Sequence, residues 1–76
     1  MRVTVHMHGN LRRFLPDGVD RTVLEVAPGT TAEALLASLG AERDIWLVAV
    51  NGVTVDRGRV LDPDDLLDCF EPVAAG

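Results

Sequence analysis

Residues 2–8 read RVTVHMH. Polar and apolar side chains alternate strictly, which is the two-residue period of a β-strand with one buried face. Val3, Val5 and Met7 share the buried side, and Arg2, Thr4, His6 and His8 share the other. A sheet that hides one face needs a single covering layer. The fold therefore turns on whether the rest of the chain supplies more strands and one helix.

It does. Gly9-Asn10 breaks the first strand, LRRFL follows at 11–15, and Pro16-Asp17-Gly18 is a turn signal. Residues 21–26 (RTVLEV) form a second strand, joined to the first as a hairpin with a long loop. Pro28-Gly29 punctuates, and Thr30 and Glu33 stand at the S/T-x-x-E spacing of a capping box. Ala32, Leu35, Leu36 and Leu39 then make one apolar helical stripe, and Gly40 suits the C-terminal cap. The spacing predicts a helix over 31–39. Residues 45–50 (IWLVAV) are continuously apolar ahead of Asn51-Gly52, a strong hairpin signal, with 53–55 as a short return strand. A turn at Asp62-Pro63-Asp64-Asp65 leads into the last strand, 66–71 (LLDCFE). The expected fold is α+β: a small mixed sheet covered on one face by one short helix.

Size and charge narrow the function. The 76 residues make one domain, 1–76, with a flexible tail at 72–76. A domain this small buries about 60% of its unfolded surface, so its packing must be efficient. The net charge is −5, and the seven basic residues, all arginine, are scattered along the chain. That argues against nucleic acid, which needs a concentrated cationic surface, and favours a protein partner with a basic patch. A lone cysteine excludes an internal disulfide and fits a reducing compartment. No segment is apolar for long enough to span a membrane, and a cytoplasmic protein is expected.

Few side chains offer chemistry. His6 and His8 lie two residues apart on one strand face, but no third metal ligand stands at convincing spacing, so they read as surface histidines and no metal is expected. Asp62, Asp64 and Asp65 lack the glycine and terminal glutamate of a calcium loop and read as a solvated turn. Cys69 shares the core face with Leu67, a buried thiol with no base beside it. Phe70 then points to the open face with Thr4, His6 and His8. It either anchors a partner or simply covers neighbouring strands. Leu11 and Phe14 either close the core or join that docking face, and Trp46 is ambiguous because its run does not alternate. Phe70, Phe14, His6 and His8 are the residues assigned to partner binding.

The ordered set GNLRRFL (9–15), PGTTAEALL (28–36), VAVNG (48–52) and DPDDLLDCFEPVAAG (62–76) resembles the MoaD/ThiS family of ubiquitin-like sulfur carriers. Its ending is closer to the molybdopterin-synthase small subunit. The resemblance implies the β-grasp fold and a carrier that is not itself an enzyme and binds no cofactor. A ubiquitin-activating-type adenylyltransferase would use ATP to adenylate the C-terminal carboxylate of Gly76. Sulfur transfer would give a thiocarboxylate, which the carrier delivers to a sulfur-accepting biosynthetic enzyme. Pro72 would stiffen the exit, and small Val73, Ala74 and Ala75 would let the tail thread into a partner. Ala75 stands where the family usually has glycine. At a positive φ it would cost about 1–2 kcal/mol; in an extended tail it is one extra methyl. Two alternatives stay open: a β-grasp interaction module that has lost the chemistry, and protein tagging through Gly76.

Overall fold

The computed structural model describes residues 1–72. Strand β1 (Arg2–Met7) is followed by two short 3-10 helices, Gly9–Phe14 and Pro16–Gly18, and then β2 (Arg21–Glu25). Helix α1 (Ala32–Ser38), β3 (Leu47–Val50), β4 (Val53–Val55) and β5 (Leu66–Phe70) complete the chain. The sheet has five strands in the order β2-β1-β5-β3-β4. β1 and β5 pair in parallel at its centre, and every other pairing is antiparallel. This is the expected β-grasp arrangement. No helix among the described residues is long and apolar enough to cross a membrane.

The alternation in β1 is realised: Val3, Val5 and Met7 are buried, while Thr4 and His6 are half-covered on the opposite face. Leu67 and Cys69 of β5 bury beside them, as their spacing predicts. Ala32, Leu35 and Leu36 of α1 close the core over these strands, and Leu39 packs at its edge.

The helix starts one residue later than the capping-box spacing predicts. Thr31, rather than Thr30, is the N-cap, and its hydroxyl accepts from the Ala34 N–H at 3.1 Å. The Thr30 hydroxyl donates instead to the Ala27 carbonyl at 2.6 Å, closing the Pro-Gly turn. Two further N–H groups of the first turn, of Ala32 and Glu33, reach the carbonyls of Arg59 and Arg57 at 2.9 Å each. Those donors have no partner within the helix, so the loop before β5 supplies one. At the other end Gly40 takes φ 73°, and the N–H groups of Ala41 and Gly40 return to Leu36 and Ala37 at 3.0 Å each. This is a Schellman closure with the glycine where it was expected.

Two stretches differ from the sequence reading. Residues 11–14, for which the sequence predicts no element, belong to the first 3-10 helix, which buries Leu11, and Leu15 just beyond it enters the core. Leu11 therefore closes the core. The turn at residues 62–65 is not simply solvated: Asp65 is 5% exposed. One carboxylate oxygen of Asp65 accepts from the Asn51 side-chain amide at 2.9 Å, and the other accepts from the Asp62 N–H at 2.8 Å. The Asn51 side-chain oxygen accepts from the Leu66 N–H at 2.9 Å. Asn51 and Gly52 both take positive φ, 51° and 86°, as a type I′ hairpin turn requires. Asn51 thus serves as turn residue and as a clasp between the β3–β4 hairpin and the start of β5.

Removing that clasp leaves a buried carboxylate oxygen and a strand N–H without partners. Asn51→Ala is expected to lower stability by about 2 kcal/mol or more, combining these losses with alanine's poor fit to positive φ. Asp64→Asn, at an exposed site whose φ of 65° asparagine tolerates, should change it by less than about 0.5 kcal/mol. Urea denaturation of the two variants measures the difference, and equal effects would contradict the clasp.

Candidate functional site

The open face of the sheet carries the chemistry-bearing residues. Parallel pairing of β1 with β5 sets His6 beside Asp68. The antiparallel β3–β5 register sets Phe70 beside Leu47. One row across the sheet is therefore polar, running Arg21, His6, Asp68. The next is aromatic and apolar, running His8, Phe70, Leu47.

The polar row is a compact cluster. His6 Nδ1 and His8 Nε2 both lie 3.0 Å from Asp68 Oδ1. Asp20 Oδ2 stands 3.6 Å from His6 Nε2, so His6 faces a carboxylate at each ring nitrogen. The two histidines do lie on the open sheet face, but partly covered and joined through one shared carboxylate oxygen. Asp68 is the third group that spacing along the chain did not offer, because 62 residues separate it from His6.

In the apolar row the Phe70 ring stacks on His8, with centroids 4.3 Å apart and planes 14° from parallel. Beyond it Trp46 is 68% exposed, and its backbone N–H donates to the Phe70 carbonyl at 2.8 Å. Trp46, Leu47, Phe70, His8, Gly9 and Glu71 line a cleft of about 280 Å³. Phe70 covers its neighbours, one of the two readings offered for it, and also forms one wall of an apolar cleft. Trp46 was ambiguous because β3 begins only at Leu47, so the tryptophan stands outside the alternating register. Phe14 is not part of this surface. It leans on the core from the first 3-10 helix, with the Arg13 guanidinium 4.5 Å above its ring.

The end of β5 is held in place. Glu71 Oε1 accepts from the Asn10 N–H at 2.9 Å. Gly9 takes φ 60°, and a Cβ there would run into the Glu71 carboxylate. That explains the Gly9-Asn10 pair: the backbone must turn left-handed and come close to Glu71. Pro72 follows, exposed and outside any strand. The tail assignments at Val73, Ala74, Ala75 and Gly76 lie outside the described residues.

A profile of the ThiS family matches residues 5–76. A search of curated proteins finds no match. Among solved structures, SAMP1 from Haloferax volcanii aligns over 100% of both chains with a TM-score of 0.78 at 21% identity. Molybdopterin converting factor subunit 1 from Pyrococcus furiosus aligns over 96% of this chain and 99% of its own, with a TM-score of 0.77 at 22% identity. A second structure of the H. volcanii small archaeal modifier protein 1 gives a TM-score of 0.76 at 21% identity over 95% of this chain and 98% of its own.

Cys69 lies one residue from the cluster but on the other face, fully buried. Burial pushes its thiol up to about 12, and the adjacent Asp68 carboxylate adds to this, against a smaller opposing pull from Arg57. A thiol so held is no nucleophile at neutral pH. Its reaction with a disulfide reagent at pH 8 should be slow in the folded protein and fast in urea. The unfolded chain releases this proton near 9.0 and the folded chain holds it to about 12, so stability falls as pH rises through that window. The chain has no tyrosine and no lysine, so Cys69 is the one side chain whose ordinary range begins there. Cys69→Ala should flatten the alkaline fall in denaturation midpoints, and an unchanged fall would assign it elsewhere.

Proposed function

The chain belongs to the ThiS family, and from that premise we propose that it is a sulfur carrier whose working group is the C-terminal carboxylate of Gly76. An adenylyltransferase of the ubiquitin-activating type transfers the adenylyl group of ATP to that carboxylate and releases pyrophosphate. A sulfur donor then displaces AMP, leaving a thiocarboxylate. A biosynthetic enzyme takes the sulfur from it. The protein is a co-substrate in this scheme and contributes no catalytic side chain of its own.

The observation that carries the proposal is the cleft at the root of the tail. The Trp46, Leu47 and Phe70 side chains line it, and the main chain passes from its Phe70 wall through Glu71 to Pro72. Exposed aromatics in an apolar recess are the usual anchors of a protein interface. A partner seated there holds the chain close to where residues 73–76 begin. The clasp between Glu71 and Asn10 supports this reading, because a rigid root limits the freedom lost when the tail docks.

A second reading, attachment of Gly76 to lysines of other proteins, draws on the likeness to a small archaeal modifier protein. It predicts covalent adducts on target lysines in cells expressing the chain. The absence of lysine here forbids side-chain-linked chains of this protein on itself.

Incubation with an activating enzyme, ATP and a sulfur donor, followed by intact-mass measurement, tests the carrier. The expected product carries an oxygen-to-sulfur mass gain confined to the C-terminal peptide. Absence of both this gain and an adenylate would overturn the proposal. Retention of full biological activity after deletion of Ala75 and Gly76 would favour the interaction module that has lost the chemistry. Trp46→Ala and Phe70→Ala should each weaken binding to the activating enzyme by about tenfold, read by titration calorimetry, while Phe14→Ala acts mainly on stability.

A further inference from the structure

We propose that His6, His8 and Asp68 form a binding site for a divalent transition-metal ion of the zinc class. The two imidazoles come from one strand face, and the carboxylate comes from the strand paired beside it. One ligand atom from each residue lies within 4.8 Å of the others. Two of the separations, His6 Nδ1 to Asp68 Oδ1 and His8 Nε2 to Asp68 Oδ1, are 3.0 Å. Zinc bonds to nitrogen and carboxylate oxygen run about 2.0–2.2 Å, which places neighbouring ligand atoms about 3.0–3.5 Å apart. The cluster therefore already has nearly the dimensions of a coordination shell.

Its chemistry selects the ion. Two imidazoles and one carboxylate suit zinc, nickel, copper or ferrous iron, whereas calcium and magnesium want oxygen ligands throughout. Three protein ligands leave at least one position for water. A concavity of about 420 Å³, lined by His6, His8, Arg12 and Asp20 among others, opens beside the two imidazoles.

The surroundings orient the ligands. His6 Nδ1 is within hydrogen-bond reach of Asp68, and Asp20 Oδ2 stands 3.6 Å from Nε2, so once an ion takes Nδ1 the remaining ring proton faces Asp20. Carboxylates behind metal-bound histidines commonly play this part. The His8 ring is braced between the His6 ring, with centroids 4.1 Å apart, and the stacked Phe70 ring. The side chains of His6 and Asp68 are 19% and 16% exposed, so most of their hydration is already lost before an ion arrives. Two guanidinium groups oppose a cation: Arg21, whose Nη2 lies 3.5 Å from His6 Nδ1, and Arg12, which lines the same concavity. Both side chains are exposed, so each has room to turn outward when a cation enters.

The full chain, stripped by a chelator, is to be titrated with Zn²⁺ by calorimetry and with Co²⁺ by visible absorption. One equivalent should bind. The imidazole resonances of His6 and His8, the only histidines present, should shift with Zn²⁺ and broaden with Co²⁺. His6→Asn, His8→Asn and Asp68→Asn should each weaken binding by about tenfold or more, while Asp64→Asn, in the remote acidic turn, leaves it unchanged. Imidazole resonances unmoved by either ion would overturn the proposal, whether or not the variants fold. So would undiminished affinity in the His6→Asn/His8→Asn double variant. The mass test of Gly76 is independent of all these readings, so the two proposals stand or fall separately.

Discussion

The parallel pairing of β1 with β5 is the constraint on which the rest of the molecule depends. It joins the first and last strands at the centre of the sheet, so neither is an edge. Val5 and Met7 are set beside Leu67 and Cys69, and these four side chains form the floor on which α1 packs. Parallel strands need a long crossover. Here it contains β2, the helix and the β3–β4 hairpin, and the loop before β5 supplies the backbone acceptors for the helix N-terminus. The cost is kinetic: the central contact joins residues some sixty apart, and non-local contacts of that kind are slow to form.

Both ends of β5 are pinned by polar groups rather than by packing alone. At its start Asp65 is held by Asn51, and its carbonyl accepts from the Thr4 N–H at 2.9 Å. At its end Glu71 is held by the backbone of Asn10. The two clasps lie on opposite neighbours, the β3–β4 turn and the segment after β1. A register slip of β5 would break both, and it would also turn Leu67 and Cys69 out of the core. The position from which Pro72 departs is thereby set by the body of the domain.

What could be read from the sequence was whatever depends on near neighbours. Strand periodicity in residues 2–8, the stripe at Ala32, Leu35, Leu36 and Leu39, the Asn51-Gly52 turn and the Gly40 cap are all local, and all were legible. Between the adjacent threonines at 30 and 31, the capping-box spacing to Glu33 favoured Thr30. The Ala27 carbonyl reversed this by taking the Thr30 hydroxyl, leaving Thr31 to cap. Asp65 read as one more acidic turn residue because its partner, Asn51, lies on another hairpin. Asp68 escaped notice for the same reason at greater range: its place beside His6 follows from the β1–β5 register alone. Once two strands are known to be parallel neighbours, though, the signal is simple. A histidine and an aspartate on matching faces must meet.

His8 joins the two rows of the open face. One face of its ring carries Phe70, a wall of the apolar cleft, while its Nε2 reaches Asp68 in the polar cluster. Stacking restrains the ring's tilt, and the hydrogen bond restrains its rotation, so each contact preorganises the other. The ring is therefore fixed from two sides, by the apolar wall at Phe70 and by the carboxylate of Asp68. His8 is the side chain that the polar and apolar halves of the open face share, and the two residues it joins stand two positions apart in β5, close to where Pro72 leaves the strand.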